Sequence, residues 1–354
     1  MFEKAYTFDD IALVPQYNNI NSRTEPSLET WLTKKIKIKI PFIPANMDTV
    51  IGDELASVLV NLGGIPIFHR FSSVEEQEKL CKKYNGRCFI SCGLNDIDKL
   101  ERLFENGAIG VCIDVAHGHS ENVINLIKMI KQKYPEKQII AGNVCTPQGY
   151  SDLVSAGADA VKVGIGPGAA CTTRIVTGFG VPQFSAIYNI SIVAKKLQVP
   201  IIADGGIRNS RDVVLALAAG ASTVMIGNLF SKCYESASQK YIKDDYCEYR
   251  QVELTSDILI NYNDRIYTNY RGQASKHFQE DYYGKIKEGT VAEGINFYSK
   301  CSGSVKELIN ELSGGLKSGL TYGGARNIKE LQRKAEFVSV TQNYSTESFP
   351  RISQ

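Results

Sequence analysis

The sequence lacks the features that mark several common classes of protein. Its nine cysteines include no Cys-X-X-Cys pair, which argues against a zinc site or a disulfide framework and favours reduced thiols in a cytoplasmic protein. The net charge of +2 gives no indication of a nucleic-acid partner or of a membrane surface. No apolar run is long enough to span a bilayer, and the first residues are unlike a signal or transit peptide. We therefore expect a cytoplasmic protein.

What the sequence does contain is a regular series of short apolar runs. The chain has 354 residues, of which 43% are hydrophobic and 22% charged, so a large core can form. Eight runs rich in Val and Ile lie at 41–46, 64–69, 88–93, 110–114, 138–143, 160–164, 200–204 and 223–227. Continuous rather than alternating apolar runs are typical of parallel strands that are buried on both faces.

Helical patterns lie between these runs. They cover residues 53–61, 73–84, 96–106, 120–134, 147–156, 185–197 and 210–219, and several begin with Ser or Asp in a capping position. Such repeated alternation of strand and helix predicts a TIM (β/α)8 barrel, an α/β fold. A doubly wound open sheet is the alternative, but no Gly-X-Gly-X-X-Gly motif opens the first helix.

Two of the predicted strands end in residues suited to binding phosphate. In a barrel the carboxyl ends of all strands meet at one mouth, and the last two strands usually provide the phosphate site. Here these strands end in Asp204, Gly205 and Gly206 and in Gly227 and Asn228. Glycine amides at the start of a helix can bind phosphate without a side chain. We expect a phosphate site at these residues, although tight turns between strand and helix would use the same residue types.

The loop at 164–174 contains Cys171 and follows the sixth run. Three glycines and a proline give this loop a backbone that bends freely, so the sulfur is expected to be exposed. Arg174 is close in sequence and would favour the thiolate, which is the nucleophilic form. An incidental thiol on a surface loop is the alternative, but the surrounding residues favour a nucleophile.

The regular pattern ends after the eighth run. Residues from about 234 to 301 are polar and have no long apolar periodicity, which is typical of a flap over a catalytic mouth or of an arm between subunits. Helical periodicity returns at 304–312 and 327–337, and we expect the polar tail at 344–354 to be disordered. The chain, 1–354, is therefore predicted to form a single catalytic barrel domain.

Taken together, these motifs resemble those of the IMP dehydrogenase/GMP reductase family. The resemblance runs from residue 7 to about 338 and is carried by segments 7–15, 45–49, 117–120, 141–144, 171–183 and 203–208, which match in order. It implies the barrel fold, a homotetramer and a purine nucleotide as substrate. In both enzymes of the family a thiolate attacks C2 of the purine, and Cys171 stands at the place of that thiolate.

The two branches of the family differ in the steps after this attack. The dehydrogenase passes hydride to NAD and then hydrolyses the adduct to XMP, with water activated by an Arg-Tyr pair in a long flap. The reductase releases ammonia from GMP and reduces the adduct with NADPH to give IMP. The flap here is short and has no Arg-Tyr dipeptide, segments 45–47 and 114–116 resemble the reductase versions, and no regulatory CBS pair lies between residues 70 and 88.

These observations favour a GMP reductase, although some features oppose that interpretation. Segments 172–178 and 203–208 are similar to those of bacterial dehydrogenases, and Asn228 stands where the family often has a second glycine. An IMP dehydrogenase without CBS domains is therefore the first alternative. A non-catalytic sensor of purine nucleotides is the second, and it would bind nucleotide without any change in nicotinamide absorbance.

The resemblance also implies roles for individual residues. Cys171 is expected to be the nucleophile, and Thr173 with Glu293 is expected to relay the proton that converts the 2-amino group into ammonia. The implied substrate-binding residues are Met47, Asp204, Gly205, Gly206, Gly227, Asn228, Arg271, Gly272 and Gln273. Cys92, Cys112 and Cys145 lie in or beside predicted strands and are expected to be packing residues.

Two bound groups are implied as well. NADPH is expected near Asp114, Val115, Ala116 and the flap, with Arg70 or Arg23 as the partner of its 2′-phosphate. The remaining cofactor contacts implied are Ser22, beside Arg23, and a Ser318–Gly319 turn provided by a neighbouring subunit. A potassium ion is expected at the Cys171 loop, on the carbonyl groups of Gly166, Gly168 and Cys171, with Arg174 beside it.

Overall fold

The central feature of the structure is a cylinder of parallel strands. The computed structural model describes residues 3–244, 247–286 and 288–348. Its strands 1 to 8 are Phe42–Pro44, Ile67–Phe68, Phe89–Cys92, Gly110–Asp114, Gln138–Val144, Ala160–Val163, Ile201–Asp204 and Thr223–Ile226. Neighbouring strands pair in parallel from 2 to 8, and strand 8 returns to strand 1 through Val224 and Phe42. This is the predicted TIM barrel, and strands 1 and 2 form the seam at which its hydrogen bonding is incomplete.

Helices cover the outside of the barrel where the sequence predicts them. After strands 1 to 7 they are Asp53–Asn61, Val74–Lys83, Leu100–Glu105, Glu121–Lys133, Pro147–Ala156, Gln183–Leu197 and Ser210–Ala218. Side-chain caps fix several starting points: Ser73 accepts from the amide of Glu76, Thr146 from that of Gly149 and Asn209 from that of Asp212. The strands are buried on both faces because side chains fill the barrel and helices surround it, which explains their continuous apolar runs.

The flap after strand 8 contains a sheet that the sequence analysis did not predict. Four antiparallel strands, Lys240–Lys243, Tyr249–Val252, Ile266–Arg271 and Asn296–Lys300, form it, together with helices Ser256–Tyr262 and Lys276–Tyr283. Buried and half-buried residues alternate along Ile266–Arg271, as expected for a strand with one covered face. These strands are short and rich in Tyr, Lys and Arg, so the search for long apolar runs missed them.

The remaining elements lie outside the eight barrel strands. Strand Ile11–Leu13 pairs with Phe337–Ser339, and Thr30–Trp31 pairs with Lys37–Ile38. Single-turn helices are Phe8–Asp10, Ile97–Lys99, Thr173–Thr177, Asn228–Ser231 and Asn263–Arg265, and longer helices are Val305–Tyr322 and Ile328–Lys334. None of the helices within the described ranges combines the length and apolar character needed to cross a membrane.

The tail at 344–354, for which the sequence predicts disorder, begins within a short helix. Helix Asn343–Ser348 ends the described part of the chain, and residues 349–354 lie outside it. The Arg211 guanidinium lies 5.8 Å from the centre of the Tyr344 ring, a cation–π contact that holds this helix against the barrel. A polar composition alone does not reveal such a contact.

Candidate active site

The carboxyl ends of the strands open into one large cavity. Its volume is about 890 Å³, and strand ends, the Cys171 loop and the flap all contribute to its wall. The predicted site residues that line it are Met47, Arg70, Asp114, Val115, Ala116, Gly166, Gly168, Cys171, Thr173, Asp204, Gly205, Gly206, Gly227, Asn228, Gly272, Gln273 and Glu293. The fold therefore brings together residues that are as much as 246 positions apart in the sequence.

Glycines allow the loop that carries Cys171 to lie close to its neighbours. At Gly164, with φ +150°, an added Cβ would lie 2.0 Å from the carbonyl oxygen of Asp204, so strands 6 and 7 could not approach as they do. The Cys171 amide then donates to the carbonyl of Gly168 at 3.0 Å. This tight turn presents the Cys171 side chain to the cavity, as the sequence predicts for an accessible thiol.

The three expected catalytic residues form one chain of contacts. The Cys171 sulfur lies 3.3 Å from the hydroxyl oxygen of Thr173, and that hydroxyl donates to Oε2 of Glu293 at 2.7 Å. The flap delivers Glu293 to this point because its backbone pairs with the loop: the Thr172 amide donates to the Glu293 carbonyl at 3.0 Å. A proton can pass along this route between the carboxyl group and the cavity.

Arg174 contacts the loop backbone. Its guanidinium donates to the carbonyl of Val181 at 2.6 Å, and its side chain crosses Gly166 and Gly180, where an added Cβ would lie 2.5 and 2.7 Å from it. Because a guanidinium has only donors, this side chain cannot be a ligand of a cation. The contacts therefore support a role of this side chain in holding the loop.

The other cysteines near the barrel are enclosed. Cys92 and Cys112 are fully buried in strands 3 and 4, and burial raises the pKa of the Cys112 thiol to about 12. Cys145 is half-buried, and burial raises the pKa of its thiol as well. These environments suit packing residues and leave Cys171 as the thiol on the catalytic loop.

A buried lysine at the floor of the cavity is the main feature that the sequence analysis missed. Lys162, in strand 6, is only 2% exposed, and its amine lies 2.7 Å from Oδ1 of Asp114 and 3.2 Å from Oδ2 of Asp204. Burial tends to lower the pKa of Lys162, but the two carboxylates outweigh that effect and raise it above its usual value. The amine therefore stays charged. It links Asp204, which is expected to bind the substrate, to Asp114, which is expected to lie near the cofactor.

Asparagines complete this polar floor. Asn143 donates from Nδ2 to Asp204 at 2.9 Å and to the carbonyl of Gly164 at 2.8 Å, while Oδ1 of Asn46 lies 3.3 Å from the Lys162 amine. The sequence carried one signal for this network: a lysine inside a strand predicted to be buried requires charged or polar partners.

At the end of strand 8, the side chain of Tyr270 in the flap explains why residue 227, expected near the phosphate, is a glycine. The Tyr270 hydroxyl would lie 2.3 Å from a Cβ added to Gly227, so only glycine leaves room for the ring. The same hydroxyl lies 3.6 Å from the sulfur of Met47. Burial, with Asp204 and Cys171 nearby, raises the pKa of Tyr270, so its phenol remains a hydrogen-bond donor at neutral pH.

Arg271 does not line the cavity, in contrast to the sequence expectation that it contacts substrate. Its Nε donates to Oδ2 of Asp48 at 2.9 Å, and its Nη1 lies 2.9 Å from Nδ1 of His277. It therefore connects the loop after strand 1 with the flap helix, and Asp48, which is 223 residues away in sequence, holds it away from the mouth. Its neighbour Gln273 does line the cavity and donates to the carbonyl of Asn46 at 2.8 Å.

The residues expected to bind the cofactor fall into two groups. Arg70 lines the cavity, 3.6 Å from Asp96 and 4.5 Å from the centre of the Phe71 ring, and Phe71 packs edge-on against Phe278 of the flap. Ser22, Arg23, Ser318 and Gly319 do not line it.

The prediction of a turn at Ser318–Gly319 is wrong, because both residues lie within helix Val305–Tyr322. An added Cβ on Gly319 would lie 2.6 Å from Val214, so this glycine permits close packing of two helices.

Comparison with known proteins decides the family. A model of the IMP dehydrogenase/GMP reductase domain matches residues 5–351. The chain belongs to the IMP dehydrogenase/GMP reductase family. Inosine-5′-monophosphate dehydrogenase of Borreliella burgdorferi is 37% identical over 98% of this chain and 97% of its own length. The enzyme of that name from Cryptosporidium parvum is also 37% identical, over 98% of this chain and 94% of its own.

A similar solved structure carries the name of the other branch. It is a single-substitution variant of GMP reductase from Trypanosoma brucei in complex with guanosine 5′-monophosphate, with a TM-score of 0.89 and 25% identity over 100% of this chain and 99% of its own. Members of the family are oxidoreductases of purine metabolism that use NAD(P)(H), and the predictions of family and fold are confirmed. Relatives from both branches are similar to this chain, so the flap and the catalytic loop must distinguish between them.

Proposed function

We propose that this protein is a GMP reductase, which converts GMP to IMP and ammonia at the expense of NADPH. The observation that carries the proposal is the composition of the flap where it faces the cavity. Within the described ranges, the flap residues on the cavity wall include one carboxyl group, Glu293, and neither arginine nor lysine. Such a flap can supply a proton to a leaving amine but has no cationic partner with which to activate water.

The contacts of the catalytic loop support a specific order of events. The Cys171 thiolate adds to C2 of the purine, and Glu293 sends a proton through the Thr173 hydroxyl to the 2-amino group. The C2–N bond then breaks and ammonia leaves, because the protonated amine is the better leaving group. When bound, NADPH supplies the hydride that C2 accepts. Cleavage of the C2–S bond then regenerates the Cys171 thiolate and releases IMP.

The wall of the cavity includes residues expected to bind each of the two ligands. Its wall extends from the ends of strands 7 and 8, where the nucleotide phosphate is expected, to Asp114 and Arg70 at strands 4 and 2. Arg70 is the better candidate for the 2′-phosphate of NADPH, because Arg23 stacks on Tyr322 at 5.8 Å and lies off the cavity wall. A guanidinium can bind phosphate oxygens in a bidentate manner.

The potassium ion and the homotetramer are further parts of this proposal. The described residues include no group of three His, Cys, Asp or Glu side chains that could hold a metal, so a cation at this loop would rely on carbonyl oxygens such as that of Gly168. Association is supported by Ile175 and Phe179, which are 86% and 77% exposed close to the catalytic loop.

One specific observation favours the dehydrogenase instead: the chain is 37% identical to IMP dehydrogenases over nearly its whole length. Purified protein should therefore be given GMP with NADPH and, separately, IMP with NAD, while the nicotinamide absorbance is followed. We expect oxidation of NADPH in the first mixture only. Formation of NADH from IMP and NAD would instead establish the dehydrogenase, and nucleotide binding without either reaction would establish a sensor.

Replacement of Glu293 tests the proton route. Glu293→Gln keeps the shape of the side chain but removes the acid, so we expect release of ammonia from GMP to fall by about 10²- to 10⁴-fold. Hydride exchange between IMP and NADP does not require that proton and should persist. Glu288→Gln is the matched control, since Glu288 is exposed on the same flap and does not line the cavity. Equal loss of both half-reactions in Glu293→Gln would contradict the relay.

A further inference from the structure

A lysine that the sequence analysis did not single out lies at the phosphate end of the cavity. Lys232 follows the short helix Asn228–Ser231, and both Asn228 and Lys232 line the cavity wall. Residues four apart in a helical turn lie on the same face, so the two side chains share the face that borders the cavity. The Lys232 carbonyl accepts a hydrogen bond from the Ser302 amide at 3.0 Å, which fixes this turn against the flap.

Both side chains have donors without a protein partner. The side-chain nitrogen of Asn228 is buried and has no hydrogen-bond partner among the described residues. Within the same ranges, no carboxylate lies within 4.0 Å of the Lys232 amine and no acceptor forms a hydrogen bond with it. A buried donor without a partner is costly, so a site of this kind favours a ligand that supplies acceptors.

The other cations on the cavity wall are already engaged. Asp114 and Asp204 pair with Lys162, Asp9 and Asp212 pair with Arg208, and Asp96 lies near Arg70. Of the lysines and arginines on the described part of this wall, Lys232 is thus the one without a nearby carboxylate that offsets its charge.

We infer that Lys232 is a specificity-determining residue whose ammonium group binds the 5′-phosphate of the substrate, while the Asn228 amide donates to the same anion. A phosphate monoester carries between one and two negative charges near neutral pH, and charge-assisted hydrogen bonds are the strong ones. Gly205, Gly206 and Gly227 line the same cavity as these donors. The inference rests on the proposed function only in requiring a purine nucleotide, because GMP and IMP carry the same phosphate.

The test compares nucleotides with nucleosides. Dissociation constants of GMP, IMP, guanosine and inosine should be measured by calorimetry for the full-length protein, Lys232→Met and Lys232→Arg. We expect Lys232→Met to weaken the binding of GMP and IMP by about 10- to 100-fold and to leave the nucleosides unchanged. Lys232→Arg should keep most of the preference for the phosphate, and the response of GMP binding to added salt should diminish in Lys232→Met.

The control variant is Lys300→Met, which removes an exposed lysine of the same flap that does not line the cavity. Its affinities should equal those of the wild type, and thermal unfolding should show that each variant is folded. Unchanged binding of GMP by Lys232→Met, or an equal loss of GMP and guanosine, would overturn the inference. If the wild type prefers nucleotides through Lys232 but does not oxidise NADPH, the proposed function fails and the phosphate assignment stands.

Discussion

Cys171→Ala is expected to eliminate both turnover and the covalent nucleotide adduct. No other group on the loop can replace the sulfur, because the nearby hydroxyl of Thr173 is a much weaker nucleophile and already donates to Glu293. Turnover should fall by at least about 10³-fold, as is usual when a covalent nucleophile is removed. Steady-state rates and intact-protein mass spectrometry after incubation with nucleotide would measure the two effects.

Cys145→Ala provides the matched control for this experiment. Cys145 is half-buried like Cys171 but follows strand 5, away from the cavity wall. Its removal should leave both turnover and adduct formation intact. An adduct that survives in Cys171→Ala and disappears in Cys145→Ala would transfer the role of nucleophile to the other thiol.

Lys162→Met is expected to damage stability and activity together. It leaves the partly buried carboxylates of Asp114 and Asp204 without the cation that both of them contact. Removing one partner of a buried ion pair costs about 3–5 kcal/mol of unfolding free energy, a large share of the total for most domains. Denaturant unfolding should show this loss, and turnover should fall because both carboxylates lose their fixed orientation.

The pH dependence of this loss has a definite sign. The folded pKa of Lys162 is raised, so its stabilising contribution is complete below the unfolded value of about 10.4 and disappears only at higher pH. Between about pH 5 and pH 8 the wild type therefore keeps the full contribution. The stability deficit of Lys162→Met should therefore be constant over this range and shrink only as the pH rises above about 10.4, where the contribution of Lys162 to the wild type disappears. A deficit that shrinks between about pH 8 and pH 5 would contradict this explanation.

Lys240→Met separates the effect of the carboxylates from that of burial alone. Lys240 is also buried, but it donates to the carbonyls of Ser236 and Ser238, and burial lowers its pKa to about 8. Its removal orphans no carboxylate, so the loss of unfolding free energy should be smaller than in Lys162→Met. Burial disfavours the charged form of Lys240 in the folded protein. The unfolding free energy of the wild type should therefore rise with pH above about pH 8, where folded Lys240 loses its proton.

The parts of the fold that were predictable are those fixed by local pattern. Helices at 53–61 and 147–156 match the structure at both ends, because capping signals and apolar spacing lie within a few residues of each other. The barrel strands were equally visible, since burial on both faces demands continuous apolar runs. The contact between Thr173 and Glu293 was anticipated only through family resemblance, because 120 residues separate the two side chains.

The parts that were missed depend on partners far away in the sequence. Arg271 was expected to contact substrate, but Asp48 holds it outside the cavity. Lys162 stands in the run at 160–164, and only the three-dimensional meeting of strands 4, 6 and 7 reveals that two carboxylates enclose it. The flap sheet was missed for a related reason, since its strands are stabilised largely by pairing with one another and show little apolar periodicity.

The pairing of the Cys171 loop with the returning end of the flap has a mechanical consequence. The Thr172 amide donates to the Glu293 carbonyl at 3.0 Å, and the Ile295 amide donates to the Ala170 carbonyl at 2.9 Å. These two hydrogen bonds fasten the backbone that carries Glu293 to the backbone that carries Cys171. A displacement of the outer part of the flap, with helix Lys276–Tyr283, during product release would leave this fastening in place. The reacting groups would then need no reassembly between turnovers, and a change in the length of the outer flap would alter access to the site without displacing its acid.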